Sequence, residues 1–286
     1  MALKVTTKSI THRAAYQGID GAYSQEAIFR YFNKQVPTVG CSNFEKVVRV
    51  VESGEAEFAF MPIENSIAGT IVQTIDLLLE STLSIIGEYY LPIHHNLMAL
   101  PETDLKDVAA VYSHPQALAQ CAESIKRLGL NPIADWDTAG GAKRIREEGL
   151  QNAAAIASQH AAKVYKLKIL ASDIEDVDHN TTRFFILSNQ PAKQSEHSKT
   201  SILFTTRHAP GALVASMKEF SDRGLNLTKI ESRPDRRHAW HYIFYLDFEG
   251  HIEDPAVEKA MLNMLKRAQM VKILGSYPRG DQNGAK

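Results

Sequence analysis

The chain has 286 residues, 44% of them hydrophobic and 23% charged, with a formal net charge of -1. That balance exerts no electrostatic pull toward nucleic acid or an anionic membrane, and the length exceeds one average domain. Cys41 and Cys121 are the two cysteines, too few for a disulfide framework or a cysteine-rich zinc site, and they read as small buried thiols in helix-like segments. The stretch Met1–Thr11 is polar and basic without an apolar h-region. No apolar run reaches the roughly 18 to 20 residues that a bilayer span needs, so a soluble cytoplasmic protein is expected.

Up to about residue 190, short apolar runs alternate with helix-like stretches, the pattern of an α/β domain. Ala14–Gln17 is predicted as a strand, with a Gly18-Ile19-Asp20-Gly21 turn behind it. Ser24 is placed to N-cap a helix over Gln25–Asn33. Ser42 and Glu45 have capping-box spacing, and Phe44, Val47, Val48 and Val51 recur at helical intervals up to Gly54. Phe58–Ile63 is the next strand, Ile71, Ile75, Leu78 and Leu79 a helical stripe, and Leu83–Gly87 another strand. Val108–Tyr112 opens onto Ser113-His114-Pro115, where proline suits a first helical turn. Leu118, Cys121, Ala122, Ile125 and Leu128 continue that helix until Gly129. Residues 138–148, 153–157 and 158–167 repeat helix, strand and helix, and Arg183–Leu187 returns as a strand.

Gln190–Lys199 is short, polar and proline-containing, the best linker in the chain. Beyond it the elements are strand (Ser201–Thr206), helix (Pro210–Arg223), strands (Leu227–Arg233 and Trp240–Asp247), helix (Pro255–Arg267) and strand (Val271–Ser276). This is the βαββαβ order of a ferredoxin-like domain, with two helices on one face of an antiparallel sheet. Its other face or edge is free to associate. The charged stretch Asp235–Ala239 reads as a solvated loop.

No Walker A loop, G-x-G-x-x-G, H-E-x-x-H or C-x-x-C occurs, and Gly18-x-x-Gly21 lacks dinucleotide-loop spacing. Polar runs instead sit where strands end and helices begin: residues 21–24, 62–70, 113–116 and 180–184. Ligands of open α/β sheets collect at such ends, and free helix N–H groups there bind carboxylates. A hydroxyl-rich, metal-poor site of this kind suits a small organic anion better than a metal ion. Each run also has a plain reading. Ser24 and Ser113 serve equally as helix caps, Glu64 as a salt-bridge partner, His114 as a cap-region histidine, and Thr181 and Thr182 as β-branched sheet residues.

The same runs closely resemble the prephenate dehydratase family, which includes the arogenate dehydratases. They are GAYS at 21–24, PIENSIAGTI at 62–71, SHPQALAQC at 113–121 and NTTRFFIL at 180–187, with GALV at 211–214 and ESRP at 231–234. The resemblance implies a two-lobed, periplasmic-binding-protein-like (type II) catalytic domain over about 13–190, with the site in the interlobe cleft. One lobe would take residues 13–92 and 175–190 and the other 93–174, with hinge crossings near Leu91–Leu97 and Leu170–Glu175. An ACT regulatory domain would follow over about 200–278.

The implied reaction converts prephenate to phenylpyruvate, carbon dioxide and water, without cofactor or metal. Arogenate is the rival substrate, and a non-catalytic amino-acid sensor the rival of another class. Carried over residue by residue, the family's essential threonine falls on Thr182, which would give a hydrogen bond or proton to the leaving hydroxyl. Arg183 would offer a planar fork to a substrate carboxylate. Asn65, Ser66, Thr70, Ser113 and Gln116 would orient the substrate, with Ser24 helping, Phe184 shaping the pocket and His114 an open case. In the ACT region, Gly211, Ala212, Leu213 and Val214 would take the carboxylate of phenylalanine as feedback effector. Asn226, Leu227, Glu231, Ser232 and Arg233 would meet its amino group or a paired domain, so a homodimer or homotetramer is expected. A preceding chorismate mutase domain is not expected in the few residues before residue 13.

Overall fold

The structure, a computed structural model, describes residues 12–235 and 241–281. It divides into two compact units, one of residues up to 60 with 94–178 and the other of 61–93 with 179 onward. The chain opens with β1 (Ala14–Gln17), α1 (Tyr23–Tyr31), β2 (Thr38–Cys41) and α2 (Phe44–Glu52). Strand β3 (Phe58–Asn65) begins in the first unit and ends in the second, followed there by β4 (Gly69–Thr70), α3 (Val72–Glu80) and β5 (Ser84–Pro92). The first unit resumes with β6 (Asn96–Ala99), β7 (Ala110–Ser113), α4 (Pro115–Gln120), α5 (Ala122–Arg127) and β8 (Asn131–Ala134). It ends with α6 (Thr138–Glu148), β9 (Ala153–Ala157), α7 (Gln159–Tyr165) and β10 (Lys168–Ala171).

Within the first unit, β1 runs parallel between β2 and the first residues of β3. A second sheet has the order β10-β6-β9-β7-β8, with β7 parallel to both β8 and β9. Strand β9, Ala-Ala-Ala-Ile-Ala, is buried along its whole length, the continuous apolar run expected of a strand covered on both faces.

Several local expectations are corrected. Helix α1 starts at Tyr23 with Ala22 as N-cap and no side-chain cap bond, so Ser24 lies inside the first turn. Asn43, not Ser42, caps α2, because it immediately precedes the first helical residue and its side chain accepts from the Lys46 N–H at 2.9 Å. The single helix expected up to Gly129 is two, α4 and α5, broken where Cys121 (φ -119°, ψ 19°) leaves helical geometry. Cys41 ends a strand. Both thiols are buried, and burial pushes the Cys121 pKa up to about 12, so neither is a reactive thiolate.

In the second unit β11 (Thr181–Ser188) lies beside β3 and pairs antiparallel with β5. The C-terminal elements are β12 (Ser198–Thr206), α8 (Ala212–Ser221), β13 (Leu227–Pro234), β14 (Tyr242–Glu249), α9 (Pro255–Leu265) and β15 (Ala268–Pro278). Their sheet order, β13-β14-β12-β15 with antiparallel neighbours, is ferredoxin-like. Phe204, Phe220, Leu246, Phe248, Val257 and Met264 form its core. The expected linker ends early, since β12 already begins at Ser198 and Lys199 is buried against Glu88 at 2.9 Å. Of the expected charged loop and the strand start at Trp240, residues 236–240 lie outside the described residues, as does Met1–Thr11. Among the described residues no helix is long and apolar enough to cross a membrane.

Candidate active site

The end of β3 and the start of β11 are neighbours in the second unit, joined by the Ser66 N–H to the Thr181 carbonyl at 2.8 Å. Asn65 is buried there, and its Oδ1 accepts from the N–H groups of Ile67 (3.1 Å) and Ala68 (2.9 Å). Two backbone donors at Oδ1 settle which end of the amide is oxygen. Its Nδ2 therefore donates, to Asn180 Oδ1 at 2.6 Å and to Thr182 Oγ1 at 3.0 Å. A hydroxyl that accepts a bond keeps its own hydrogen to give away. Thr182, half-buried at the head of β11, is held as such a donor.

The neighbouring hydroxyls are used otherwise than expected. Ser66 Oγ donates to the His179 carbonyl and accepts from the Thr181 N–H, both at 2.9 Å, which closes the 65–68 loop onto β11. Thr70 accepts from Lys229 Nζ at 2.9 Å and donates to Glu231 at 3.1 Å. Both hydroxyl hydrogens serve the protein. Glu64 takes the salt-bridge role, 2.7 Å from Lys229.

Arg183 is the largest departure. Alternation along β11 turns it to the face opposite Thr182. It is 4% exposed, and its Nε bonds Glu88 at 2.7 Å, one Nη Asp247 at 2.6 Å and the other the Tyr277 hydroxyl at 3.2 Å. The fork expected to hold a substrate carboxylate is filled by protein carboxylates. Burial opposes its charge, yet Asp247, Tyr277, Tyr245 and Glu88 hold its pKa well above the ordinary arginine value. Lys199 reaches Glu88 from β12, and Tyr245 and Ser201 bond Asp247. Phe184 is buried in the same strand.

In the first unit the turn after β1 is tied down by groups that local pattern left unmarked. Gly21, at φ +90°, gives its N–H to Gln25 Oε1 at 2.7 Å. The same oxygen is 2.8 Å from His160 Nε2, and Gln25 Nε2 donates to Asp20 at 2.7 Å. Ser158 caps α7 and donates to the Gly21 carbonyl at 3.1 Å, and Tyr165 donates to the Asp20 carbonyl at 2.6 Å. Tyr23 bonds His95 at 2.8 Å, and burial lowers the pKa of both His95 and His160, favouring neutral rings.

Ser113 is fully buried and donates to the Ile156 carbonyl at 2.6 Å, which ties β7 to β9 and takes its hydrogen. His114 is the N-cap of α4, its Nδ1 accepting from the Gln116 N–H at 3.2 Å. The Gln116 side chain is exposed and Ser24 half-buried. Metal-ligating atoms come close together, among the described residues, at His94, Asp173 and Glu175. Glu175 there already accepts from His94 at 2.9 Å and from the His95 N–H at 2.8 Å.

The expected effector residues separate into two groups. Gly211, Ala212, Leu213 and Val214 line a cavity of about 190 Å³ with His208, Tyr242 and Phe244. Gly211 sits at φ +78° as the N-cap of α8, a conformation that glycine adopts without strain. Asn226, Leu227, Glu231, Ser232 and Arg233 do not line it. The Asn226 carbonyl accepts from the Glu249 N–H, while Glu231 meets Thr70 and Arg233 grips both oxygens of Asp76 at 2.9 and 3.0 Å.

Fold and site together define an α/β enzyme body joined to a ferredoxin-like, ACT-like module. The prephenate dehydratase family pattern matches residues 14–192. A protein of Arabidopsis thaliana named arogenate dehydratase/prephenate dehydratase 2, chloroplastic, is 42% identical over 93% of this chain and 72% of its own length. A solved prephenate dehydratase of Arthrobacter aurescens in complex with L-Phe matches with a TM-score of 0.86 at 30% identity, covering 96% of this chain and 92% of that one. A structure described as a novel type of quorum quenching acylase has the same TM-score of 0.86 at 36% identity, covering 93% and 98%. The chain belongs to the prephenate dehydratase family, and its fold class is α/β with a ferredoxin-like C-terminal part, as expected from the sequence.

Proposed function

We propose that this chain converts prephenate to phenylpyruvate, carbon dioxide and water, with Thr182 as the catalytic hydrogen-bond donor. The ring C–O bond breaks and hydroxide leaves, taking a proton from solvent to become water. The bond to the ring carboxylate breaks too, and its electron pair completes the aromatic ring. Aromatisation drives the step, so the work left to the protein is orientation and stabilisation of the departing oxygen. The supporting observation is the Asn65 amide on Thr182 Oγ1 at 3.0 Å, which leaves the threonine hydrogen for an outside acceptor. A threonine hydroxyl is a very weak acid, so a preorganised hydrogen bond describes its action better than full proton donation. With Arg183 engaged by Glu88 and Asp247, its fork is not counted among the groups that hold the substrate carboxylates.

Arogenate is the alternative substrate, supported by the double name of the Arabidopsis thaliana relative. Purified protein is expected to turn over prephenate with a higher kcat/KM than arogenate. The reverse order would make it an arogenate dehydratase. Acylase activity on a quorum signal with neither of the two consumed would favour the activity named for the quorum quenching relative.

The catalytic part is taken as residues 13–190 and the regulatory ACT domain as 200–278, pairing with other copies into a homodimer or homotetramer in the cytoplasm. The Gly211–Val214 cavity is the proposed phenylalanine site, supported by the L-Phe complex of the Arthrobacter aurescens relative. Open space surrounds a Cβ built at Gly211, but φ +78° strains any side chain there. Gly211→Val is therefore expected to weaken phenylalanine binding by about tenfold, with kcat in its absence unchanged. Calorimetry that detects no phenylalanine binding to the wild type removes the effector role.

A further inference from the structure

The effector cavity and Thr182 belong to the same compact unit, and strand β13 touches the surroundings of both. Lys229, Glu231 and Arg233 stand at alternate positions and share one face of β13. Lys229 and Glu231 bond the β3–β4 hairpin that carries Asn65, and Arg233 bonds the helix α3 that follows it. Lys229 Nζ donates to Glu64 Oε1 at 2.7 Å and to Thr70 Oγ1 at 2.9 Å, Glu231 accepts from Thr70, and Arg233 holds Asp76. Glu64 and Thr70 are cross-strand partners in the β3–β4 hairpin, so Lys229 grips both of its arms. Its side chain is only 11% exposed, which makes the Glu64 charge its main compensation. Along its hydrogen-bonded edge β13 pairs with β14, Ser232 against Phe244 and Pro234 against Tyr242, and those two aromatic residues line the cavity.

We propose that Lys229 is a positioning residue for the Asn65–Thr182 pair, acting through Glu64, and that β13 carries effector binding from the cavity to that pair. Asn65 follows Glu64 directly and points to the opposite face of β3. A displacement of Glu64 thus shifts the Asn65 amide against Thr182 Oγ1, where a few tenths of an ångström weaken a 3.0 Å hydrogen bond. The charge-assisted contact to Lys229 is what lets β13 pull on the hairpin rather than slide over it. The regulatory half rests on the phenylalanine reading above; the positioning half does not.

The test uses the full-length chain and the variants Lys229→Met, Lys229→Arg, Glu64→Gln and the Met/Gln double. Lys229→Met is expected to lower kcat about tenfold with KM within about twofold, and Lys229→Arg to restore most of it. Glu64→Gln keeps the side-chain shape and is expected to match Lys229→Met, with no further loss in the double variant. Phenylalanine should bind Lys229→Met with the wild-type Kd by calorimetry and yet inhibit it less than about twofold. Wild-type kcat in both single variants, or additive losses in the double, overturns the positioning role. Full inhibition at unchanged Kd in Lys229→Met overturns the coupling. If the wild type binds no phenylalanine, the regulatory half falls, while kcat and the double-mutant comparison still decide the positioning half. If Lys229→Met does not fold, the Glu64→Gln values decide it.

Discussion

Thr182→Ala is expected to lower kcat by about 10²- to 10³-fold with little change in KM, the loss typical of one preorganised donor aimed at developing negative charge. Asn65 keeps its partner Asn180 at 2.6 Å and its two backbone donors, so the loop around it should hold its shape. The half-buried position costs little stability when the hydroxyl and methyl are removed. Thr182→Ser retains the hydroxyl but loses the β-branch that restricts χ1, and is expected to fall within about tenfold of wild type. Kinetics with prephenate, alongside thermal melts that verify folding, make the comparison. Near-wild-type turnover of Thr182→Ala would take the residue out of the mechanism.

The second large effect is on stability. Arg183, Lys199, Glu88 and Asp247 form a charge cluster whose side chains are between 0% and 5% exposed. Removing one member strands an opposite charge where water cannot reach it, at a cost of about 3–5 kcal/mol. Asp247→Ala leaves Arg183 with Glu88 already shared by Lys199, and also strips the Tyr245 and Ser201 hydroxyls of their acceptor. At about 2–4 °C per kcal/mol for a chain of a few hundred residues, Tm should drop by roughly 6–20 °C. The exposed pair Lys218–Asp222 supplies the contrast, since Lys218→Ala should move stability by no more than about 0.5 kcal/mol. Equal shifts in calorimetric scans of the two variants would mean that the buried cluster is not holding the fold.

Long periodic segments are legible in the sequence alone. Ala14–Gln17, residues 138–148 and residues 153–157 fall where their patterns put them, because an apolar run or a helical stripe is a local property. The βαββαβ order of the C-terminal part is of the same kind. Breaks and caps were less visible. Nothing in the spacing from Leu118 to Leu128 marks the departure at Cys121, and one residue of offset moved the cap from Ser42 to Asn43. Gln25, Ser158 and His160 were missed because their partners lie up to 137 residues away in the chain. Lys229 was missed in the same way, 165 residues from Glu64.

The Thr-Arg-Phe run shows where the two levels divide. Sequence by itself ran a strand over Arg183–Leu187 and sent both Thr182 and Arg183 to the substrate, although side chains alternate along any strand. It also placed Asn65 at the end of another. Which face is buried against carboxylates, and which hydroxyl keeps its hydrogen, was decided only by the tertiary structure. Glu88 and Asp247 come from β5 and β14 to consume the arginine, and Asn65 comes from β3 to turn the threonine into a donor. Hydrogen-bonding capacity belongs to the residue, but what remains of it for a ligand depends on every neighbour that folding brings within 3 Å or so.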